Sequence, residues 1–405
     1  MTVMIYGCTG YMGTMVSEAM AQHPQLSQLC VLSGRSTTKV RNLATRLSLP
    51  WCSFKLSDSL IDHYLKDIKV VLNMAGPYIE TTEPLIMSCI RTHTDYLDIS
   101  KEQQSLQLLF QSLSAQIQSA NIIAIPGLGF DSVATDCLAA LLRHHLPTAT
   151  HLNLSFAFSN IADGIPVSRG IWKTNVRNMF SAADMNLACV EGAIQEVPLF
   201  YKSRTVTFPN AGKALVATAG GANCYIASRS THIENIDTFI PIDVNIMRLI
   251  LFLWRVFAFL LRWIPLMHWF ILHVMDYSLT KGPTEYQRKG KRIDVWGEVR
   301  DAQQGKVIRG SIQVMEAYGF AQQAAIQGVL RIISDRHISP GVWTPSQAFG
   351  PEFVLSIPGT VAYTFVKFEH NQQTAKSSVS STASATTTAS KLAAQSIPPL
   401  LHGSH

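Results

Sequence analysis

The 405-residue sequence predicts an α/β protein, a doubly wound parallel sheet followed by a second α+β domain that contains an antiparallel sheet. Three observations predict it. Short apolar runs alternate with helical patterns over the first 130 residues. The first run leads directly into a turn of spaced glycines, Gly7-Cys8-Thr9-Gly10-Tyr11-Met12-Gly13, which opens a helical pattern. After about residue 150 the alternation stops and strand patterns follow one another closely. The first two observations together describe a Rossmann domain.

Taken in order, 2–6, 29–33, 52–56, 69–73, 96–99 and 121–125 read as strands, and 12–22, 39–47 and 83–92 as helices between them. Continuous apolar strands of this kind belong to a parallel sheet covered on both faces. In the second half, 152–158, 205–208, 224–228 and 236–242 read as strands. The runs 292–299 and 306–314 read as an antiparallel pair joined through Gln303-Gln304-Gly305, with a helix at 321–333. The expected division is 1–145 for the nucleotide domain and 146–340 for a substrate or dimerisation domain. The segment 341–370 is expected to pack back on the first domain, and 371–405, rich in Ser, Thr and Ala, to be a disordered tail.

Composition removes several function classes. The chain is 47% apolar and only 15% charged, and a net charge of +6 is too mild for a nucleic-acid partner. Its 7 cysteines are odd in number and form no CxxC pair, and its 13 histidines are scattered, so neither a disulfide framework nor a metal site is expected. The apolar run at 3–6 is too short for a signal peptide, which points to a reducing, cytoplasmic setting.

Glycines after the first strand let the backbone approach a pyrophosphate, which then rests on the N–H groups of a helix N-terminus. Gly7, Thr9, Gly10, Tyr11, Met12 and Gly13 are therefore candidate cofactor residues. An NAD site places an acid at the end of the second strand to bind both ribose hydroxyls. This chain has Ser33-Gly34-Arg35 there, and Arg35 can pair with a 2′-phosphate instead, so the expected cofactor is NADP(H).

Three more segments carry a family resemblance: Asn73-Met74-Ala75-Gly76-Pro77-Tyr78, Thr94-Asp95-Tyr96-Leu97-Asp98-Ile99-Ser100 and Pro126-Gly127-Leu128-Gly129-Phe130-Asp131-Ser132. With the glycine turn and Gly34-Arg35 they resemble the saccharopine dehydrogenase-like oxidoreductases, in the branch of trans-acting enoyl reductases and lipid-droplet-associated relatives. Thr344-Pro345-Ser346 is a further, fainter likeness. The resemblance implies a cofactor in a cleft between the two domains. The chain departs from the family pattern at Lys101-Glu102 and at Ser168-Arg169-Gly170-Ile171-Trp172, both near the expected substrate side.

Hydride chemistry needs a donor near the developing negative charge, and such groups lie at the carboxyl ends of the strands. Tyr78, Asp98 and Asp131 fall there, with Tyr78 the first choice as proton or hydrogen-bond donor and Ala75, Gly76 and Pro77 shaping the cofactor pocket. Asp131 and Ser132 equally suit a helix cap, and Lys173 is a weaker candidate. No Ser and Tyr-x-x-x-Lys arrangement of the short-chain dehydrogenase type is present.

The run 249–275 is almost wholly apolar, with Pro265 inside it and Arg248, Arg255 and Arg262 recurring every seven residues on one helical face. It reads as an interfacial helix on a membrane or lipid droplet, or as a buried pair at a homodimer interface or substrate tunnel. The function expected is NADPH-dependent reduction of a hydrophobic, small or carrier-bound, lipid- or polyketide-like enoyl substrate. The alternatives are an imine reductase, with Arg169, Arg177, Arg204 and Arg229 to hold carboxylates, and a non-catalytic NADP-binding protein on a lipid surface.

Overall fold

The computed structural model describes residues 2–57, 60–159, 185–241, 282–334 and 337–369. The apolar run 249–275, Lys173, the segment 168–172 and the tail 371–405 lie outside the described residues.

The first sheet is built from β1 (Val3–Tyr6), β2 (Cys30–Ser33), β3 (Val70–Asn73), β4 (Asp95–Asp98) and β5 (Ile123–Ile125). A sixth strand comes from far along the chain, the short β14 (Gly341–Val342). The order is β14-β5-β4-β3-β1-β2 and every pair is parallel. Chain order reverses at β1, which lies between β2 and β3, so the crevice at the carboxyl ends of β1 and β3 is the switch point where such sheets bind ligands. All four residues of β1 and of β3 are buried, which is why these strands read as unbroken apolar runs.

Helices cover both faces: α1 (Tyr11–Gln22), α2 (Thr37–Leu47), α3 (Ile61–Leu65), α4 (Tyr78–Thr92), α5 (Gln103–Gln107), α6 (Ser114–Ser119) and α7 (Phe130–His145). The segment expected as a strand at 52–56 is not one. Trp51 makes a single bridge to Leu32, and the chain then turns so that Phe54 buries its ring against Tyr6 and Tyr64. Apolar content alone could not separate that anchored loop from a strand.

The second sheet is mixed. Its described path is β15-β13-β12-β6-β11-β10-β9, with β7 pairing β11 and β8. These strands are β6 (His151–Ser159), β7 (Met185–Val190), β8 (Ala193–Pro198), β9 (Ser203–Phe208), β10 (Gly212–Thr218), β11 (Asn235–Pro241), β12 (Arg292–Arg300), β13 (Lys306–Met315) and β15 (Val361–Glu369). The expected hairpin is present as antiparallel β12 and β13. The one departure from antiparallel pairing among the described strands is β6 beside β11.

The remaining helices are α8 (Gly221–Thr231), α9 (Glu285–Arg288), α10 (Ala317–Ser334) and α11 (Pro345–Phe349). The strand expected at 224–228 is the middle of α8. Asn223, Cys224, Tyr225, Ile226 and Ala227 are all buried, so no polar stripe marks the helical period. A single apolar core runs from Val3 and Leu72 through Leu138 on α7 to Val295 and Val314 in the second sheet. α7 and α10 lie in this core, and α10 also packs on α1.

Candidate functional site

The site is assembled at the carboxyl edge of the first sheet. Gly7 has a left-handed backbone (φ +83°), and a Cβ there would fall 2.7 Å from Ala75 N, so only glycine lets the β1 turn meet the end of β3. A Cβ on Gly13 would lie 2.2 Å from Gly7 O, which presses α1 against the turn. Gly10, by contrast, is exposed and caps α1 with no side-chain bond, and the first turn of α1 holds no acid. The helix end is thus open to an anion, supplied with the partial positive charge of its first N–H groups.

The predicted residues divide at this loop into wall and scaffold. Gly10, Thr9 and the backbone of Tyr11, Met12 and Gly13 form the rim. The Tyr11 hydroxyl is occupied elsewhere: it donates to Pro283 O at 2.6 Å while the ring meets Tyr318 edge-on at 5.2 Å. Burial lifts that phenol to about 12. Ser33 is fully buried, and its carbonyl accepts Gly7 N at 2.9 Å and Cys8 N at 3.1 Å, so it holds the turn from behind. The buried Gly34 and the exposed Arg35 follow at the rim. Arg35 has no acidic partner among the described residues, which leaves its guanidinium available to a phosphate.

At the ends of β3, β4 and β5 one buried hydrogen-bond network braces the opposite wall. Asn73 accepts Ala75 N at 3.0 Å on Oδ1 and donates through Nδ2 to Tyr96 Oη at 3.0 Å and to Thr81 Oγ1 at 3.2 Å. Thr81 donates to Ala75 O at 2.6 Å, closing the turn that carries Gly76 and Pro77. Tyr96 donates to Asp98 Oδ2 at 2.9 Å, while Asp98 Oδ1 accepts Ser100 N at 2.8 Å and Gly127 N at 3.0 Å. Asp98 is fully buried, and burial pushes its carboxyl up from 3.8 to about 6 against the pull of those three donors.

Tyr78 is the first residue of α4, directly after Pro77, and is half-buried. Crowding by surrounding atoms, then the Asp98 and Glu102 carboxylates, hold its phenol well above the usual value, so it keeps its proton at neutral pH. Pro77 offers α4 no side-chain cap. Glu102 supplies the missing acceptor, taking Ile79 N on Oε2 at 2.8 Å, and is itself fixed by its N–H on Ser100 Oγ at 3.1 Å. Asp131 sits in the first turn of α7, with Lys101 Nζ 3.7 Å from its Oδ2. It does not cap the helix, because α7 begins one residue earlier, at Phe130, with Gly129 as the cap residue.

Sequence reasoning quoted Asn73, Tyr96 and Glu102 inside motifs without giving them work. A signal was present: Tyr96 and Asp98 are two apart on a strand, hence on one face, in an interior strand that has no other reason to carry polar groups. Among the described residues no group of three or more His, Cys, Asp or Glu could hold a metal.

A dinucleotide fits this edge: uncapped α1, two glycines at contact distance from backbone, and Gly34-Arg35 where an acid would otherwise select NAD. Comparison defines the class. Residues 3–125 match the saccharopine dehydrogenase NADP binding domain, so this part of the chain is an NADP-binding domain of that kind. A bovine saccharopine dehydrogenase-like oxidoreductase is 26% identical over 215 residues, 49% of this chain and 50% of that one. The chain therefore spans about half the length of that relative. A Mycobacterium leprae trans-acting enoyl reductase is 29% identical over 140 residues, 33% of each chain. A Caenorhabditis elegans lipid droplet localized protein is 20% identical over 401 residues, covering 86% of this chain and 93% of that one. In three dimensions the chain resembles the apo saccharopine dehydrogenase (L-Glu forming) of Saccharomyces cerevisiae, with TM-score 0.60 and 12% identity over 90% of this chain and 99% of that one.

Proposed function

We propose that this protein is an NADPH-dependent reductase of a hydrophobic enoyl substrate. The observation that carries this reading is a row of aromatic rings leading away from the nucleotide edge. It starts at Phe130, next to Asp131 and three residues past Gly127, which binds Asp98. Phe130 meets Phe156 edge-on at 5.5 Å, and Phe156 meets Phe158 edge-on at 5.9 Å. Phe156 and Phe158 are half-buried, packed against the core but not enclosed by it. Such a wall suits an apolar chain and gives nothing to a carboxylate.

Charge at the reacting end agrees. Asp98 and Glu102 lie close enough to Tyr78 to act on its phenol, and Glu102 already occupies the helix end where a substrate carboxylate would bind. Two of the candidate arginines, Arg204 of β9 and Arg229 of α8, are engaged. Arg204 binds Glu298 at 2.9 Å and stacks over Trp296, and Arg229 stacks over Tyr225 and Phe110. An amino-acid imine would find little to hold it. The enoyl reductase and lipid droplet names among the relatives point the same way. The apolar run 249–275 supplies the lipid-facing element in this reading.

The cofactor would supply a hydride at its nicotinamide C4. Tyr78 donates a proton or hydrogen bond to the charge that develops on the substrate. The Asn73–Tyr96–Asp98 network holds the Gly76-Pro77-Tyr78 turn, and Lys101 with Asp131 lines the entrance. The test is NADPH oxidation with enoyl thioesters of rising chain length beside an amino-acid-derived imine. Enoyl turnover that improves with chain length is expected, and Tyr78→Phe should lower it at least about tenfold while leaving NADPH affinity unchanged. Imine turnover would select the second chemistry. Tight NADPH binding with no turnover of either class would select the non-catalytic reading.

A further inference from the structure

Beside Phe156, on its Leu154 side, the same face of the second sheet holds a small, mostly apolar cavity into which a few polar residues are set. It is lined by Leu154 and Phe156 of β6, Thr238 and Ile240 of β11, Thr135 of α7 and Asn223 of α8, beside Gly220. Its volume of about 10 Å³ admits one group the size of a water molecule. Asn223 is 5% exposed and its Oδ1 has no hydrogen-bond partner. A buried acceptor left without a donor is costly, so the position calls for something to fill it.

The neighbouring groups fix what that something is. Thr238 gives its proton to Ala219 O at 2.8 Å, and Thr135 gives its proton to Asp131 O. Each hydroxyl then presents only lone pairs to the cavity, as Asn223 Oδ1 does. The partner must be a hydrogen-bond donor. It must also be uncharged, because the cavity adjoins the N-terminus of the eleven-residue α8, which has a Gly220 cap without a side-chain bond and no acid in its first turn. The positive end of the helix dipole disfavours an ammonium there.

We propose that this cavity is a substrate subsite that receives a neutral donor, a hydroxyl or an amide N–H, carried on the apolar chain that lies along Phe130 and Phe156. The inference rests on the hydrophobic-substrate reading above. It deepens that reading from any enoyl chain to one bearing a hydroxyl or amide at a fixed distance from the reacting carbons.

Two isomeric probes isolate the donor: 1-octanol and heptyl methyl ether have the same atoms, and only the alcohol can donate. Their binding to the NADP⁺-saturated protein is measured by calorimetry, with NADP⁺ binding as the control for fold. The wild type should prefer the alcohol by about fivefold, the size of one neutral hydrogen bond. Asn223→Leu should abolish that preference while ether binding and NADP⁺ binding persist. Thr238→Val, which leaves the amide in place, serves if the first variant fails to fold, and should reduce the preference. Binding of both probes with no preference, or a preference indifferent to both substitutions, overturns the subsite and leaves the hydrophobic-substrate reading standing. Binding of neither probe by a protein that binds NADP⁺ overturns both.

Discussion

Asp98 shows how much a single side chain can bind together. Its two oxygens collect donors from β4, from the loop after it and from the loop after β5. Its folded carboxyl titrates near 6 against an unfolded value of 3.8, so the charged form is the disfavoured one. Stability from this group is therefore fully present below about 3.8 and is lost as pH rises through 6. A shift of that size corresponds to about 3 kcal/mol. Asp98→Asn should flatten this dependence: the wild-type minus variant difference in unfolding free energy, measured by urea titration, should fall between pH 4 and pH 7. A difference that stays constant over that interval would show that Asp98 is not held this way. Arg35 makes the complementary case, a residue whose position was legible from its distance past the glycines alone. Arg35→Ala should remove most of the preference for NADPH over NADH, read by fluorescence titration of both cofactors. A wild type that binds the two equally would sink the 2′-phosphate assignment. Asp98 was legible as a polar group at a strand end, but its partners were not, because one of them, Gly127, comes from a loop 29 residues further along.

At the scale of elements, the turn from β1 into α1 was readable because each glycine answers a local demand. Those demands differ, and the difference is measurable. Gly13 must be small because α1 packs on Gly7 O, whereas Gly10 is exposed and only its approach to a ligand is restricted. Gly13→Ala should therefore lower both the melting temperature and NADPH affinity, with overpacking strain of roughly 1–3 kcal/mol. Gly10→Val should weaken NADPH binding with little change in melting temperature, since its Cβ would meet Gly7 O only at 3.4 Å. Equal thermal losses in the two variants would contradict this division. Elements whose residues are buried all round gave no such local signal. α8 looks like a strand because its middle residues are uniformly buried, and 52–56 looks like one because an anchored loop can be as apolar as a strand. Periodicity reports one wet face, which the middle of α8 lacks, while at 52–56 the alternation of buried Phe54 and exposed Lys55 belongs to a loop.

The whole molecule is joined in a way that no local pattern announces. Residues 337–369 serve both sheets: β14 extends the first beside β5, and β15 extends the second beside β13. Between them Ser346 N donates to the buried Asp136 Oδ2 of α7 at 2.7 Å, and Phe353 and Val354 complete the shared core. Two residues suffice for β14 because the strand is held by what surrounds it, which is why its sequence carries no strand signal. The nucleotide site is thus built by the first 130 residues but finished by the last described ones. A chain ended after residue 335 keeps every residue of the glycine turn, the Gly34-Arg35 rim and the Asp98 network. It loses the edge strand of the first sheet, the partner of Asp136 and part of the core that α7 and α10 share. Leaving Asp136 buried with its backbone donor removed is among the changes expected to exceed about 3 kcal/mol, a large fraction of the stability of an ordinary domain. Such a chain should fail to bind NADPH and should show no cooperative thermal transition, in contrast to the full-length protein, whose tryptophan fluorescence and cofactor release should melt together. If the shortened chain bound NADPH with full-length affinity, the nucleotide domain would be self-sufficient and the shared core would not couple the two sheets.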